Sequence, residues 1–120
     1  MRFLKSLGFA IQGLKQAVRE EKNFKTHAVL AVLALLLGLL FRLDWQEWLW
    51  VFMAITVVVI TELINTAIET CVNLVSPGYH LLAKKAKDIA AAAVLVAAIF
   101  ALSVGIVIFF PKIASLIFSF

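Results

Sequence analysis

The stretch IAAAAVLVAAIFALSVGIVIFF, residues 89–110, decides the fold of this chain. It carries no charged residue, and as a helix it would be about 33 Å long, enough to cross about 30 Å of membrane hydrocarbon. Pro111 and Lys112 end the run, and the charged residues just before it lie at the membrane surface. The stretch therefore predicts a transmembrane helix, which we place at residues 84–110.

Two further apolar segments precede this one. An uncharged run over residues 26–41 predicts a first span at 27–43. A second span, at 47–75, begins among tryptophans typical of a membrane interface and ends before the helix-breaking sequence Ser-Pro-Gly at 76–78. The chain is thus predicted to cross the membrane three times.

The first 25 residues show a different pattern. Apolar residues recur at helical spacing while cations take the other faces, which predicts an amphipathic helix lying on the membrane surface over residues 1–25. The apolar positions are Phe3, Leu4, Leu7, Ile11, Leu14 and Val18.

Composition agrees with a membrane protein. The 120 residues are 64% hydrophobic, with a mean hydropathy of +1.07, and a soluble chain this small could not bury so much apolar surface. No basic stripe with interleaved aromatics accompanies the net charge of +4, so no nucleic-acid partner is expected. The single cysteine excludes an intrachain disulfide. We predict an all-α integral membrane protein with a single domain, residues 1–120.

The lysines and arginines predict its orientation. They cluster before the first span and between the second and third spans, whereas the other two loops carry one cation each, Arg42 and Lys112. Positive loops stay inside. We therefore expect a multi-pass protein of the plasma membrane with its N-terminus in the cytoplasm and its C-terminus outside.

Three polar residues interrupt the second span. Glu62, Asn65 and Glu69 have the spacing i, i+3, i+7, which places them on one face of a helix. Carboxylates in or beside hydrocarbon are costly unless neutralised, paired or ligated, so they usually indicate function. The alternative is that they hold helices together by hydrogen bonds, but two carboxylates on one face repel unless a cation or proton lies between them.

A second polar group begins the third span. Lys84, Lys87 and Asp88 are predicted to share its first turn, where unpaired N–H groups and lysines favour an anion. Anchoring at a positive membrane face would explain the lysines but not Asp88. From the residues alone, Glu21 is an ordinary ion-pair partner, and His27 and His80 form interfacial hydrogen bonds. Carboxylates, lysines and a membrane together suggest phosphate chemistry on a lipid, although no Walker A or kinase glycine-rich loop is present.

The sequences ELINTAIE at 62–69 and AKDIAA at 86–91 resemble the signature of a bacterial lipid kinase family, the diacylglycerol kinases and undecaprenol kinases. The resemblance covers nearly the whole chain. EKNFKTH at 21–27 and IFFPK at 108–112 are more similar to the undecaprenol kinases of Gram-positive bacteria.

This resemblance implies a homotrimeric enzyme that uses ATP and Mg²⁺. It implies that Glu62 is the general base, that Asn65 orients its neighbours, and that Glu21 and Glu69 hold the magnesium ion. The residues that match the family's nucleotide and cofactor contacts are Arg2, Glu21, Glu69, Gly78, Tyr79, His80, Lys87 and Asp88.

The leading hypothesis is a kinase that converts undecaprenol to undecaprenyl phosphate, and the first alternative is a diacylglycerol kinase making phosphatidic acid. Two remoter alternatives are a small transporter or assembly subunit in which Glu62 and Glu69 relay protons, and a regulator that has lost activity. We also expect that a monomer would leave Glu62, Asn65 and Glu69 facing lipid and that oligomerisation buries them.

Overall fold

Four helices make up the protein in a computed structural model that describes residues 1–119. They are α1 (Arg2–Glu20), α2 (Lys22–Leu40), α3 (Trp45–Val75) and α4 (Leu81–Phe118), and the described residues contain no strand. Helices α2, α3 and α4 are each long and apolar enough to cross a membrane. The predicted all-α fold with three membrane-spanning helices is confirmed, and the chain is a multi-pass membrane protein.

The surface helix is shorter than predicted. It ends at Glu20, because Glu21 adopts an extended conformation, with φ −101° and ψ 115°. Lys22 then begins α2, so the charged residues that we assigned to the surface helix form the first turns of the first span instead. The apolar face of α1 is exposed in the chain, as expected of a helix that lies on lipid, and Ala17 is its buried residue.

A tight turn joins α2 to α3. The N–H of Leu43 donates to the carbonyl of Gly38 at 3.1 Å and that of Arg42 to the carbonyl of Leu39 at 3.4 Å, the pattern of a Schellman motif. Arg42 takes the left-handed position of this motif, with φ 53°. Asp44 then caps α3 by accepting from the N–H of Glu47 at 2.8 Å.

The apolar core lies beside this turn. It comprises residues of α3, α4 and the turn itself, and α3 packs most extensively on α4. Across the same region the ammonium of Lys112 donates to Glu47 Oε2 at 2.6 Å, which ties the second half of α4 to the start of α3. The buried members of the core are Leu43, Val51, Ala54, Val104, Ile108 and Phe109.

Helix α4 is longer at both ends than the predicted span. It begins at Leu81 because the His80 side chain caps it, accepting from the N–H of Leu82 at 3.1 Å. It continues through Pro111, a residue that long apolar helices tolerate. We call the end of the bundle where α2 begins, α3 ends and α4 begins the site end, and the opposite end, with the 41–44 turn, the turn end.

Candidate active site

The polar residues of α3 lie at the edge of the apolar layer. Helix α2 has 19 residues and is therefore about 28 Å long, close to the thickness of the hydrocarbon. Glu62 lies about 26 Å along α3 from its first residue. Because α3 runs antiparallel to α2 and starts beside the end of α2, Glu62 is level with the first turn of α2. Asn65 and Glu69 lie further out. The site end therefore places carboxylates where lipid and aqueous phases meet.

Glu62 is the most deeply buried large side chain in the described chain, with 1% of its surface exposed. His27 of α2 approaches it, with Nε2 at 3.0 Å from Oε1. This contact is not aligned as a hydrogen bond, and both carboxylate oxygens lack a hydrogen-bond donor within the described residues. A buried carboxylate without donors is costly, so its retention here indicates a functional group.

Asn65 lies one turn further along the same face and is also buried. Its side-chain amide donates to Glu69 Oε1 at 3.2 Å. The side-chain carbonyl oxygen of Asn65, Oδ1, has no hydrogen-bond donor in the described part of the chain. The stripe predicted from the spacing is therefore real, and it presents three unpaired buried acceptors, two from Glu62 and one from Asn65.

Glu21 joins this group from the break between α1 and α2. Its half-buried position raises the pKa of its carboxyl group above the ordinary value, and the negative charges of Glu69 and then Glu62 raise this pKa further. Glu21, from one part of the sequence, thus lies within electrostatic reach of Glu62 and Glu69 from another. Such a cluster favours a proton or a cation between its members.

The start of α4 differs from its prediction. Because α4 begins at Leu81, Lys87 and Asp88 lie in its second turn, and our placement of them in the first turn was wrong. Asp88 is exposed and accepts from the ammonium of Lys84 at 2.6 Å, one turn earlier on the same helix. The helical rise places Asp88 about 10 Å from the start of α4 and Glu69 about 9 Å from the end of α3. Because α4 starts and α3 ends at the site end, the two residues lie at a similar depth below that end of the bundle.

The remaining predicted nucleotide contacts are on the surface of the chain. Gly78, Tyr79 and His80 form the exposed α3–α4 connection at the site end. Arg2 is exposed at the first residue of α1, about 27 Å along that helix from Glu20. Within one chain, Arg2 is therefore not brought to the carboxylate cluster by its helix.

An apolar groove leads to His27, the neighbour of the buried carboxylate. It has a volume of about 600 Å³ and runs between α2, α3 and α4 from His27 at the site end to Phe110 and Ile113 near the turn end. Apart from His27, its lining consists of apolar side chains and Gly105. Such a groove suits a hydrocarbon chain whose polar end reaches His27 and Glu62.

Comparison with known proteins agrees with this site. The sequence profile of the family described as prokaryotic diacylglycerol kinase matches residues 8–109. The chain belongs to this family. It is 43% identical over 112 residues to the undecaprenol kinase of Bacillus subtilis (strain 168), covering 93% of this chain and 91% of that protein.

Two diacylglycerol kinases are less similar. Identity is 38% over 99 residues with that of Helicobacter pylori (strain ATCC 700392 / 26695), covering 82% of this chain and 77% of the relative. It is 33% over 100 residues with that of Escherichia coli (strain K12), covering 83% and 82%. The predicted family is confirmed, and the higher identity to the undecaprenol kinase agrees with the predicted branch. The chain is a lipid kinase, a family that implies ATP as phosphoryl donor.

Membership of the lipid kinase family decides between the functional classes that the residues alone left open. A lipid kinase must place an alcohol at the membrane edge beside a phosphate, and the site end combines an apolar groove with polar residues at that edge. The transporter and inactive-regulator alternatives have no supporting observation. Within residues 1–119, no three His, Cys, Asp or Glu side chains are placed to hold a metal ion by themselves. Magnesium often uses one or two carboxylates together with substrate phosphates, so the Glu21 and Glu69 pair is sufficient in number.

Two features of the site differ from the sequence reasoning. A single chain already buries Glu62 and Asn65, so the expectation that their burial requires oligomerisation was wrong; Glu69 is only half-buried in the single chain. Both α1 and α2 pack on α3, and His27 of α2 contacts Glu62 directly. The contact between His27 and Glu62 was missed. The sequence feature that could have indicated this contact is His27 itself, an imidazole inside an otherwise apolar run. We assigned it to general interfacial hydrogen bonding.

Proposed function

We propose that this protein is an ATP- and magnesium-dependent undecaprenol kinase, which transfers the γ-phosphoryl group to undecaprenol and gives undecaprenyl phosphate. The observation that carries the proposal is Glu62, whose two oxygens are buried without a donor among the described residues, 3.0 Å from His27, which lines an apolar groove. A lipid hydroxyl supplies the missing donor, and the groove holds its hydrocarbon.

In this reaction Glu62 is the general base. As the lipid oxygen forms its bond to the γ-phosphorus, the bond to the oxygen bridging the β and γ phosphates breaks and ADP leaves. The hydroxyl proton passes to Glu62. Most of the rate acceleration then comes from positioning and charge neutralisation, which suits a site with few reacting groups of its own.

Glu21 and Glu69 are the proposed magnesium ligands. Support comes from the raised pKa of Glu21. Burial is its main cause, and the like charges of Glu69 and Glu62, which raise this pKa further, would also favour a divalent cation. A bound magnesium ion supplies neutralisation of the phosphate charge. Asn65 holds Glu69 through the 3.2 Å hydrogen bond and so orients one of the two ligands.

The proposed ATP-binding residues lie around the same end of the bundle. Lys87 and Asp88 are on α4 at the depth of Glu69, and the exposed connection of residues 78–80 is adjacent. Lysine is a common phosphate ligand. Asp88 and the 78–80 connection are exposed and Lys87 is half-buried, so a nucleotide from the aqueous phase could reach them. Binding of ATP would require Asp88 to share or release its ion pair with Lys84.

The acceptor is assigned to undecaprenol because of the higher identity to an undecaprenol kinase, 43% against 38% for a diacylglycerol kinase. The groove itself favours a lipid with one hydroxyl group at its polar end, a description that also fits diacylglycerol. Diacylglycerol is therefore the second candidate, and the chemistry of the site is the same for both.

The assembly and location follow from the charges and from Arg2. All lysines and arginines except Arg42 and Lys112 lie on α1 or at the site end, which supports a cytoplasmic site, a cytoplasmic N-terminus and an external C-terminus in the plasma membrane. We propose a homotrimer because the resemblance to the family implies one. It would also let Arg2 of one copy reach the nucleotide of another, which the length of α1 prevents within one chain.

The test is phosphoryl transfer by the purified protein in detergent, with ATP and Mg²⁺, to undecaprenol and diacylglycerol side by side. Glu62→Gln, Glu69→Gln and Glu21→Gln should each lower transfer by at least about 10²-fold. Glu20→Gln is the matched control, because Glu20 is the exposed neighbour of Glu21 and has no role in the site.

Transfer to undecaprenol that depends on Glu62, with Glu20→Gln fully active, would establish the proposal. A preference for diacylglycerol would retain the mechanism and overturn the acceptor. Transfer that survives Glu62→Gln would refute the base assignment.

A further inference from the structure

His27 occupies a position that general interfacial hydrogen bonding does not explain. Its Nε2 is 3.0 Å from Glu62 Oε1, its side chain is 23% exposed, and the same imidazole lines the inner end of the apolar groove. It therefore touches both the buried carboxylate and the space from which a lipid would approach. Asn65 donates to Glu69 instead, so His27 is the polar neighbour within reach of Glu62.

We infer that His27 is a positioning residue for Glu62. A hydrogen bond from Nε2 to Oε1 fixes the rotamer of the carboxylate and satisfies one oxygen, which leaves Oε2 available to accept from the lipid hydroxyl. The contact distance is already that of a hydrogen bond, and alignment needs a rotation of the ring. Such bonds are often poorly aligned in ligand-free sites and tighten when the substrate is bound.

This inference rests on the proposed role of Glu62 as base, and it adds a link between lipid binding and that base. The imidazole that holds the carboxylate also forms part of the groove wall. A lipid chain seated in the groove would therefore press on the ring and favour the aligned position. His27 would not touch the reacting phosphate, so its loss should affect turnover and lipid use more than ATP binding.

Two isosteric substitutions separate this role from simple packing. The amide nitrogen of His27→Gln can stand where Nε2 stands, whereas that of His27→Asn stands where the other ring nitrogen, Nδ1, stands. We expect His27→Asn and His27→Ala to lower kcat by about 10- to 10²-fold, with the KM for ATP nearly unchanged and the KM for lipid raised. His27→Gln should keep most of the wild-type kcat. All variants are measured with ATP, Mg²⁺ and whichever of undecaprenol or diacylglycerol the wild type phosphorylates.

A second measurement does not depend on the folding of His27 variants. The chain has two histidines, so nitrogen NMR of histidine-labelled protein resolves His27 and uses His80 as internal control. Donation to Glu62 predicts a protonated Nε2 on His27 whose signal moves in Glu62→Gln while that of His80 stays in place.

The outcomes are distinct. If Glu62→Gln abolishes transfer but His27→Ala turns over like the wild type, or if Gln and Asn at position 27 behave alike, the positioning role is refuted and the proposed function stands. A His27 signal that ignores Glu62→Gln also refutes it. If Glu62→Gln remains active, the proposed base fails, and the positioning role fails with it.

Discussion

Breaking the ion pair between Glu47 and Lys112 should destabilise the protein without affecting its chemistry. The two groups are 2.6 Å apart, and their side chains are 25% and 28% exposed. Glu47 lies about 22 Å along α3 from Glu62, which is too far for a local effect on the base. The two residues are 65 positions apart in sequence and lie on α3 and α4, so loss of the pair weakens tertiary packing at the turn end.

The magnitude follows from its partial burial. A charge-assisted hydrogen bond contributes about 1.5–3 kcal/mol when shielded from water, whereas an exposed pair contributes about 0–1 kcal/mol. With about a quarter of each side chain exposed, we expect a coupling free energy of about 1–2 kcal/mol. Glu47→Gln keeps Oε1, which accepts from the N–H of Asp44 at 3.2 Å, and so preserves the cap of α3. Lys112→Met keeps the apolar stem.

A double-mutant cycle measures this coupling. Free energies of unfolding are obtained for the wild type, Glu47→Gln, Lys112→Met and the double variant, from denaturation in micelles of increasing dodecyl sulfate content. The double variant should recover much of the loss of the worse single variant, because no charge is left half-buried alone. Transfer activity per folded molecule should remain that of the wild type.

A matched pair provides the control. Lys84 and Asp88 are also 2.6 Å apart, but their side chains are 58% and 62% exposed, so their coupling should be at most about 0.5 kcal/mol. If the Glu47–Lys112 coupling were no larger than this, partial burial would not be the source of its strength and the reasoning would be refuted.

Two further predictions concern the turn end. Gly38→Ala places a methyl group 2.5 Å from the ring of Trp48, which stacks on Phe52 at 5.7 Å, so unfolding should become easier by about 1–3 kcal/mol. Gly105→Ala is the control, because its new methyl group meets no atom within 4 Å beyond the neighbouring backbone of its own helix. It should lower Tm little or raise it, and equal losses in the two variants would contradict the argument. Arg42→Gly should stabilise the chain by about 1 kcal/mol because an L-residue at φ 53° is strained, and Arg42→Ala in the same denaturation assay should show no such gain.

The overall fold could be predicted because membrane crossing depends on quantities that a sequence displays directly. Long apolar runs located three spans, although Glu62, Asn65 and Glu69 interrupt the second, and the Ser-Pro-Gly connection marked the end of α3. The helix ends were less accurate. Nothing in the composition near Glu21 marks the break between α1 and α2, since no glycine or proline is present, and a helix that begins with lysines looks like a continuation of a basic surface helix.

The candidate site was predictable in part for the same reason. Spacing within one helix placed Glu62, Asn65 and Glu69 together, because a helix fixes which residues share a face. Contacts between helices require the register and tilt of one helix against another, which no local pattern contains. The approach of His27 to Glu62 and the pair between Glu47 and Lys112 are both of this kind.

Stability and chemistry are separated along the bundle. The buried apolar cluster, the Schellman motif, the capped start of α3 and the Glu47–Lys112 pair all lie at the turn end. The site end instead holds a buried carboxylate and an amide oxygen without donors, arrangements that cost free energy in the unliganded chain. A helical bundle can tolerate this cost only if its helices are held elsewhere. Substrate and cation binding should therefore stabilise the site end, and destabilising the turn end should lower the temperature at which activity is lost before it changes the rate of catalysis.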